Sequence, residues 1–159
     1  MAFSTDETAR YALHFVLPDF GLIGQMNLKA ARVIVIGAGG LGCPVLQYLA
    51  AAGIGHLGIV DFDTVSLSNL QRQILFSTAD IGRKKVEVAK EKLSLQNPNT
   101  QISVFDTAIS TENVANTVAN FDIIVDCTDN FESRYLLNDT AVALGKVLVY
   151  AAIHQFEGQ

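Results

Sequence analysis

The chain has 159 residues, of which 50% are hydrophobic and 17% are charged, as in a folded globular domain and unlike a disordered segment. Its formal net charge of −5 argues against general nucleic-acid binding, which requires a basic face. No apolar run approaches the roughly 20 residues that span a bilayer, and the start lacks a signal-peptide pattern. Cys43 and Cys127 make neither a disulfide framework nor a zinc site. We therefore expect a cytoplasmic protein without membrane or nucleic-acid partners.

The first 30 residues predict a helical arm. Residues 8–16 have the pattern of a short amphipathic helix closed by Pro18, and a weaker helix is predicted over residues 21–30. Residues 31–159 are predicted to form the core of one nucleotide-binding domain.

The segment from residue 32 to residue 42 begins that core. Residues 33–36 are a continuous β-branched run, typical of a strand buried on both faces of a parallel sheet. Gly37, Gly39 and Gly42 then fit G-x-G-x-x-G ahead of an apolar helix over residues 41–52. Glycines allow a tight turn and close approach of a phosphate, and a helix N-terminus favours anions. The alternative is a purely structural glycine turn.

A second strand is predicted over residues 57–60 and ends at Asp61. Asp61 lies 24 residues after Gly37, near the roughly 20 residues expected before a ribose-binding carboxylate. The polar segment that follows is too long for a tight loop between a strand and a helix, and long ordered loops often carry function.

The remaining elements alternate between helix and strand. They are predicted as a helix over 83–96, a strand over 102–105, a helix over 111–119, a strand over 121–126, a helix over 131–144 and a strand over 147–152. This alternation indicates an α/β fold with a Rossmann-like, doubly wound, mainly parallel sheet. Because the sequence stops soon after a strand, we expect further sheet to follow.

Polar groups gather in three loops that should meet at the carboxyl edge of this sheet, where ligands bind. The first is the glycine loop, the second contains Asp61, Asp63, Asn69, Gln71 and Arg72, and the third is the segment 126–130. Lys84 and Lys85 open the helix that would cover them. Carboxylates and cations around a phosphate site suit Mg²⁺–nucleotide chemistry better than hydride transfer.

Four strings in these loops resemble the ThiF/MoeB/HesA family, relatives of the ubiquitin-activating enzymes. They are Gly-Ala-Gly-Gly-Leu-Gly at 37–42, Ser-Asn-Leu-Gln-Arg-Gln at 68–73, Gly-Arg-Lys-Lys-Val-Glu at 82–87 and Asp-Cys-Thr-Asp-Asn at 126–130. The resemblance covers nearly the whole chain and is nearest to the molybdopterin-synthase and thiamine sulfur-carrier adenylyltransferases.

The resemblance implies a site for ATP and Mg²⁺. Asp61 would hold the ribose, Gly40 would let the nucleotide lie against the backbone, and Asp129 would hold Mg²⁺. The implied catalytic residues are Arg72, Lys85, Asp129 and Arg10. The implied nucleotide-binding residues are Gly37, Gly39, Gly40, Gly42, Asp61, Asp63, Ser68, Asn69, Leu70, Gln71, Arg72, Lys85, Asp129 and Asn130.

The resemblance also implies the reaction and the partners. The C-terminal Gly-Gly carboxylate of a ubiquitin-like sulfur carrier would attack the α-phosphate, giving an acyl-adenylate and pyrophosphate for molybdopterin or thiamine biosynthesis. That carboxylate is already ionised at pH 7, so positioning and charge neutralisation matter more than a general base. The family resemblance further implies a homodimer.

Two departures from the family pattern bear on activity. The second arginine of the family's Arg-Tyr-x-Arg segment, which reaches the partner's ATP site, is replaced by Leu13, so either Arg10 substitutes or this contact is missing. The family's zinc-binding Cys-x-x-Cys pairs and later reactive cysteine are also absent from these 159 residues. We therefore expect a fragment or a short variant.

Several readings stay open at this stage. A non-catalytic ATP-binding scaffold and an NAD-dependent oxidoreductase are the alternative functions. Asp126 and Asp63 are each either ligands or loop formers, whereas Lys84 is read as a solvated charge. The cysteines are interpreted as packing residues. His14, His56 and His154 are interpreted as surface or packing residues.

Overall fold

The structure is a computed structural model that describes residues 2–159. Five parallel strands form one sheet in the order β3-β2-β1-β4-β5. The strands are β1 Arg32–Ile36, β2 His56–Val60, β3 Gln101–Phe105, β4 Ile123–Asp126 and β5 Val147–Tyr150. The strand order reverses at β1, which confirms the predicted doubly wound Rossmann-like sheet.

Seven α-helices accompany the strands in the described residues. They are α1 Thr5–Arg10, α2 Ala12–Phe15, α3 Gly21–Ala30, α4 Gly42–Ala52, α5 Lys85–Gln96, α6 Val114–Val118 and α7 Phe131–Leu144. None of those in residues 2–159 has the length and apolar character of a bilayer-crossing helix.

Strand β1 is the centre of the core because its side chains alternate between two apolar layers. Val33 and Val35 pack with the layer that contains α4 and α5, whereas Ile34 and Ile36 pack with the layer of α6 and α7. All four side chains are buried. Burying each such side chain contributes about 1.5 to 3 kcal/mol, which explains the uninterrupted apolar run.

The predicted helix over residues 8–16 is wrong at its start and in its continuity. Ser4 and Glu7 form a capping box, with the Glu7 N–H donating to Ser4 Oγ at 3.1 Å, so α1 begins before residue 8. Tyr11 then leaves helical geometry and separates α1 from α2. Its buried hydroxyl accepts a hydrogen bond from Asn97 at 2.8 Å, and this contact anchors the arm to the end of α5.

Other element boundaries shift for local reasons. Lys84 is extended and pairs with Thr64, so α5 begins at Lys85 and not at residue 83. The Asn113 side chain accepts from Ser110 N–H at 2.9 Å, which delays α6 beyond residue 111. Strand β4 likewise begins at Ile123, two residues later than predicted.

The chain ends in a hairpin that the sequence patterns did not predict. Strand β5 ends at Tyr150, so residues 151–152 are not part of it. The antiparallel strands β6 Ile153–His154 and β7 Glu157–Gly158 follow. Ala152 and Gln159 exchange both backbone hydrogen bonds, at 2.9 and 2.8 Å, which turns the chain back at this edge.

The long polar segment after β2 is ordered by two short 3₁₀ turns and one buried carboxylate. The turns are Leu67–Asn69 and Thr78–Asp80. Asp80 accepts hydrogen bonds from the Ser77 N–H and hydroxyl, both at 2.7 Å, and pairs with Lys92 on α5. Burial raises the pKa of Asp80, but the hydrogen bonds from Lys92 and Ser77 outweigh it and lower the pKa to about 2.

Helix α5 offers a matched test of core packing. Leu93→Ala empties a site that is 0% exposed, whereas Leu95, on the same helix, is 81% exposed. We expect Leu93→Ala to lower the free energy of unfolding by about 2 to 5 kcal/mol in urea denaturation, and Leu95→Ala to change it by less than about 0.5 kcal/mol. Equal losses would contradict the placement of α5.

Asp80 gives the fold a defined acid sensitivity. Since its folded pKa of about 2 lies below the ordinary 3.8, its stabilising contribution is complete above about pH 4 and disappears as the pH falls through about 2. We expect Asp80→Asn to be less stable than the parent at pH 7, with the difference shrinking below pH 4 in thermal melts. Asp139→Asn, at an exposed acid on α7, is the control. A difference independent of pH would count against the network.

Candidate functional site

A crevice of about 820 Å³ opens at the carboxyl edge of the sheet, between the ends of β1 and β4. This is the point where the strand order reverses, and open α/β sheets bind their ligands there. All three loops that the sequence singled out contribute to its wall. The expected meeting of the three loops is therefore confirmed.

The glycine loop forms one end of the crevice and permits no side chain at two positions. Gly37 has a φ of +96°, and a Cβ there would lie 2.9 Å from the Cys127 carbonyl oxygen. A Cβ on Gly42 would lie only 1.9 Å from the Gly37 carbonyl oxygen. The first helical turn of α4 therefore packs directly on the turn after β1, and the residues just before the helix, Gly39, Gly40 and Leu41, line the crevice.

Asp61 ties the glycine loop to the second loop. Its buried carboxylate accepts from the Ala38 N–H at 2.8 Å and from the Asp63 N–H at 2.8 Å. Both oxygens keep a further lone pair for a ligand at the crevice wall, because a carboxylate can accept about four hydrogen bonds.

Arg72 lies across the glycine loop. A Cβ added to Gly40 would be 3.2 Å from Arg72 Cδ, so the arginine side chain covers that glycine. Asn69 and Gly39 line the same wall. Gln73 also lines it, is buried, and its Oε1 has no hydrogen-bond partner in residues 2–159. Gln73 was not among the predicted site residues, although it closes the Ser-Asn-Leu-Gln-Arg-Gln string.

Lys85 is a buried cation at the crevice, whereas Lys84 is not. Lys85 is 3% exposed and its Nζ lies 2.8 Å from Asp63, which is 52% exposed. Asp63 is therefore the ion-pair partner of Lys85. Lys84 instead pairs with Asp106 at 3.1 Å and lies outside the crevice wall.

The third loop is shaped by Asp126 and offers Asp129 to the crevice. The fully buried Asp126 carboxylate accepts from the Thr128 N–H at 2.8 Å and from its hydroxyl at 2.6 Å, so Asp126 orients the loop. Asn130 accepts from Ser133 N–H at 2.8 Å and caps α7. Asp129 lines the crevice without a hydrogen bond or ion pair to other described residues.

Five predicted site residues do not line the crevice, and one of them, Gly42, packs on the Gly37 carbonyl instead. Ser68 pairs its hydroxyl with Ser66 at 2.9 Å, Leu70 packs against the core, and Gln71 is exposed beside them. The 3₁₀ turn and the residues after it direct Asn69, Arg72 and Gln73 inward instead. Arg10 donates to the Gln96 carbonyl at 3.0 Å, at the far end of α5.

The cysteines and two of the histidines serve packing. Both thiols are buried, and burial raises the pKa of Cys43 to about 11 and that of Cys127 to about 12. His14 contacts Gln25 at 2.7 Å, and His56 contacts Ser103 at 2.8 Å. His154 is exposed, as predicted, but it lies on the crevice wall at the C-terminal hairpin.

The crevice offers a carboxylate but, within residues 2–159, no complete set of side-chain ligands for a metal ion. No group of three or more histidine, cysteine, aspartate or glutamate side chains within residues 2–159 makes a dedicated metal cage. Mg²⁺ typically takes one or two carboxylates together with phosphate oxygens and waters. Asp129 provides one such carboxylate beside the glycine loop.

The family comparison agrees with this geometry. The model of the ThiF family matches residues 11–159. The chain is 49% identical over 158 residues to the probable adenylyltransferase/sulfurtransferase MoeZ of Mycobacterium tuberculosis, covering 99% of this chain and 40% of that protein. It is 47% identical over 159 residues to the sulfur carrier protein adenylyltransferase of Thermus thermophilus, covering 100% of this chain and 59% of that protein.

A solved structure with the same fold contains a nucleotide. The crystal structure of the E. coli tRNA N6-threonylcarbamoyladenosine dehydratase TcdA in complex with ATP has a TM-score of 0.89 and 26% identity to this chain. The match covers 94% of this chain and 61% of TcdA. Of the two sequence relatives, the chain spans 40% of the length of MoeZ and 59% of the length of the Thermus thermophilus protein.

The contact between Gly42 and the Gly37 carbonyl can be tested directly. Gly42→Ala gains about 1 kcal/mol of helix propensity, but we expect the overlap to dominate, with a net loss of about 2 kcal/mol or more in urea denaturation. Gly158→Ala is the control, since a Cβ there meets no atom within 4 Å. A Gly42→Ala protein as stable as the parent would disprove the close approach of α4.

Proposed function

Because the chain belongs to the ThiF family, we propose that its crevice binds ATP and adenylates the C-terminal glycine carboxylate of a ubiquitin-like sulfur carrier. The observation that carries this proposal is that Arg72, Lys85 and Asp129 line the same crevice as the glycine loop. The names of MoeZ and of the Thermus thermophilus relative support the activity. The ATP complex of TcdA supports the nucleotide.

The nucleotide would lie along the glycine loop. The phosphates would meet the backbone of the glycine loop just before α4, where the helix dipole favours anions. The Asp61 carboxylate would accept hydrogen bonds from the ribose hydroxyls, through the lone pairs that the Ala38 and Asp63 N–H groups do not use. Gly40, Asn69 and the other residues of the wall would fix the orientation of the nucleotide.

Arg72 and Lys85 would neutralise the phosphates. The Lys85 ammonium has three donors, of which Asp63 engages one. The ion pair with Asp63 therefore holds the buried Lys85 ammonium in place and leaves its other donors for the phosphates. Asp129 would hold Mg²⁺, which supplies further charge neutralisation when bound. Preorganised charges of this kind act more strongly in a crevice than in water.

The reaction needs no proton transfer to start. A carboxylate oxygen of the carrier attacks the α-phosphorus, the bond to the β-phosphate oxygen breaks, and pyrophosphate leaves with its electrons. A C-terminal carboxylate is ionised at pH 7, so the protein contributes positioning and charge. Both buried thiols are unsuited to receive the acyl group.

The finer assignments belong to the same proposal. The carrier would end in Gly-Gly and serve molybdopterin or thiamine biosynthesis. We also propose a cytoplasmic homodimer in which residues 1–159 form one nucleotide-binding domain, and any zinc would need ligands outside these residues. Family membership favours adenylation over the NAD-dependent hydride transfer that a glycine loop alone also predicts.

A second candidate is an ATP-binding scaffold without turnover. It is favoured by position 13, where an exposed leucine replaces the family's arginine, and by Arg10, which is engaged with Gln96. Losing an arginine that reaches a phosphate can cost several orders of magnitude in rate. Binding of ATP and carrier without pyrophosphate exchange would identify the scaffold.

The adjacent lysines provide the decisive experiment. We expect ATP–pyrophosphate exchange with Mg²⁺ and a carrier ending in Gly-Gly to fall about 100-fold or more in Lys85→Ala, because a buried charge at the phosphates is lost. Lys84→Ala, on the neighbouring surface pair, should stay within about twofold.

A carrier with an amidated C-terminus is the second control, since it lacks the attacking carboxylate. Exchange that persists with the amidated carrier would contradict the reaction. Equal effects of the two lysine substitutions would contradict the site. Tight NAD binding together with indifference to ATP and Mg²⁺ in calorimetry would reverse the choice of function.

A further inference from the structure

Arg134, in the first turn of α7, joins the third loop to the end of β5. Its Nη2 donates to the Thr128 carbonyl at 3.0 Å and to the Ala151 carbonyl at 3.5 Å. The side chain is 21% exposed and lies on the crevice wall. The proposed reaction assigns it no role.

The charge of Arg134 also compensates Asp126. Asp126 is fully buried, and its Oδ2 lies 3.4 Å from Arg134 Nε without a hydrogen bond between them. The other oxygen of Asp126 accepts hydrogen bonds from the N–H and the hydroxyl of Thr128. A buried carboxylate without a nearby cation is strongly destabilising. The charge of Arg134 therefore stabilises the Asp126 carboxylate, which orients the loop.

Two aromatic rings border the guanidinium. Its Cζ lies 6.0 Å from the ring centroid of Phe131 and 5.8 Å from that of Tyr150. Cations are attracted to aromatic faces at such distances. The rings thus limit the directions that the arginine can take.

Asp129 lies between two points that this arrangement fixes. On one side, Thr128 is held by Asp126 and Arg134. On the other, Asn130 caps α7 through the Ser133 N–H. Because the Asp129 carboxylate has no hydrogen bond or ion pair to other residues in the described chain, its position depends on the backbone of this loop.

We propose that Arg134 is a positioning residue, which acts through Thr128 and Asp126 to place the Asp129 carboxylate for a nucleotide-bound Mg²⁺. This inference rests on the proposed function, in which Asp129 receives the metal. Groups that orient a metal ligand typically change metal affinity about 10-fold to 100-fold when removed. Arg134 would therefore govern the use of Mg²⁺ without touching it.

The test combines a double-mutant cycle with hydrogen exchange. Calorimetry measures ATP binding with Mg²⁺ and with EDTA for Arg134→Ala, Asp129→Asn and the double variant, with Arg83→Ala as the control for an arginine outside the crevice. We expect Arg134→Ala to weaken binding about 10-fold with Mg²⁺ and little with EDTA. In the Asp129→Asn background, the further effect of Arg134→Ala should vanish.

Hydrogen exchange reports on the ligand-free protein. We expect Arg134→Ala to speed amide exchange in residues 127–133 and leave the strands unchanged, whereas Arg83→Ala should not affect residues 127–133. Arg134→Lys keeps the charge beside Asp126 and serves as the folded variant if the alanine protein does not fold, with a smaller change in the same direction.

Three results would overturn the inference. They are unchanged exchange in residues 127–133, a full Arg134→Ala penalty on ATP binding in the Asp129→Asn background, and weaker carrier binding in calorimetry that persists in that background. The last would place Arg134 on the carrier. A different result would refute the proposed metal role of Asp129 itself, namely an Asp129→Asn protein that keeps the parental Mg²⁺-dependent binding of ATP. That result is independent of the hydrogen-exchange result.

Discussion

The close contact between Gly42 and the Gly37 carbonyl is the constraint on which the rest of the site depends. The 1.9 Å separation that a Cβ would have from that oxygen leaves no room for a side chain, so α4 starts directly against the turn after β1. This contact holds the start of α4 against the glycine loop at one end of the crevice. Asp61 then ties the second loop to the same turn through the Ala38 N–H.

The charged side chains around the crevice fall into two groups, those with an ion-pair partner and those without one. Lys85 pairs with Asp63, and Arg134 pairs with Asp126, so both pairs offset the desolvation of their buried members. In the part of the chain that the structure describes, Arg72 and Asp129 line the crevice without ion-pair partners. One cation and one carboxylate thus face the crevice without an ion pair to neutralise them.

The family relationship and the geometry support each other at different levels. The ThiF family model covers residues 11–159, and the sheet order and the glycine loop belong to that match. The relatives are considerably longer than this chain, which spans 40% of one and 59% of another. The crevice nevertheless draws its glycine loop, cations and carboxylates from within the described residues. The proposed nucleotide binding therefore rests on local geometry, whereas the proposed carrier recognition rests on the names of the relatives.

The sequence by itself determined the parallel α/β fold, the glycine loop and the three loops that meet at the crevice. These follow from apolar runs and glycine spacing, which are local signals. Only the tertiary structure decided that Lys85 pairs with Asp63, that Arg10 contacts Gln96, and that Gln73 lines the crevice while Ser68 and Gln71 do not. Those outcomes depend on which way side chains face after a 3₁₀ turn and on contacts between residues up to 86 positions apart, and neither is encoded in short-range periodicity.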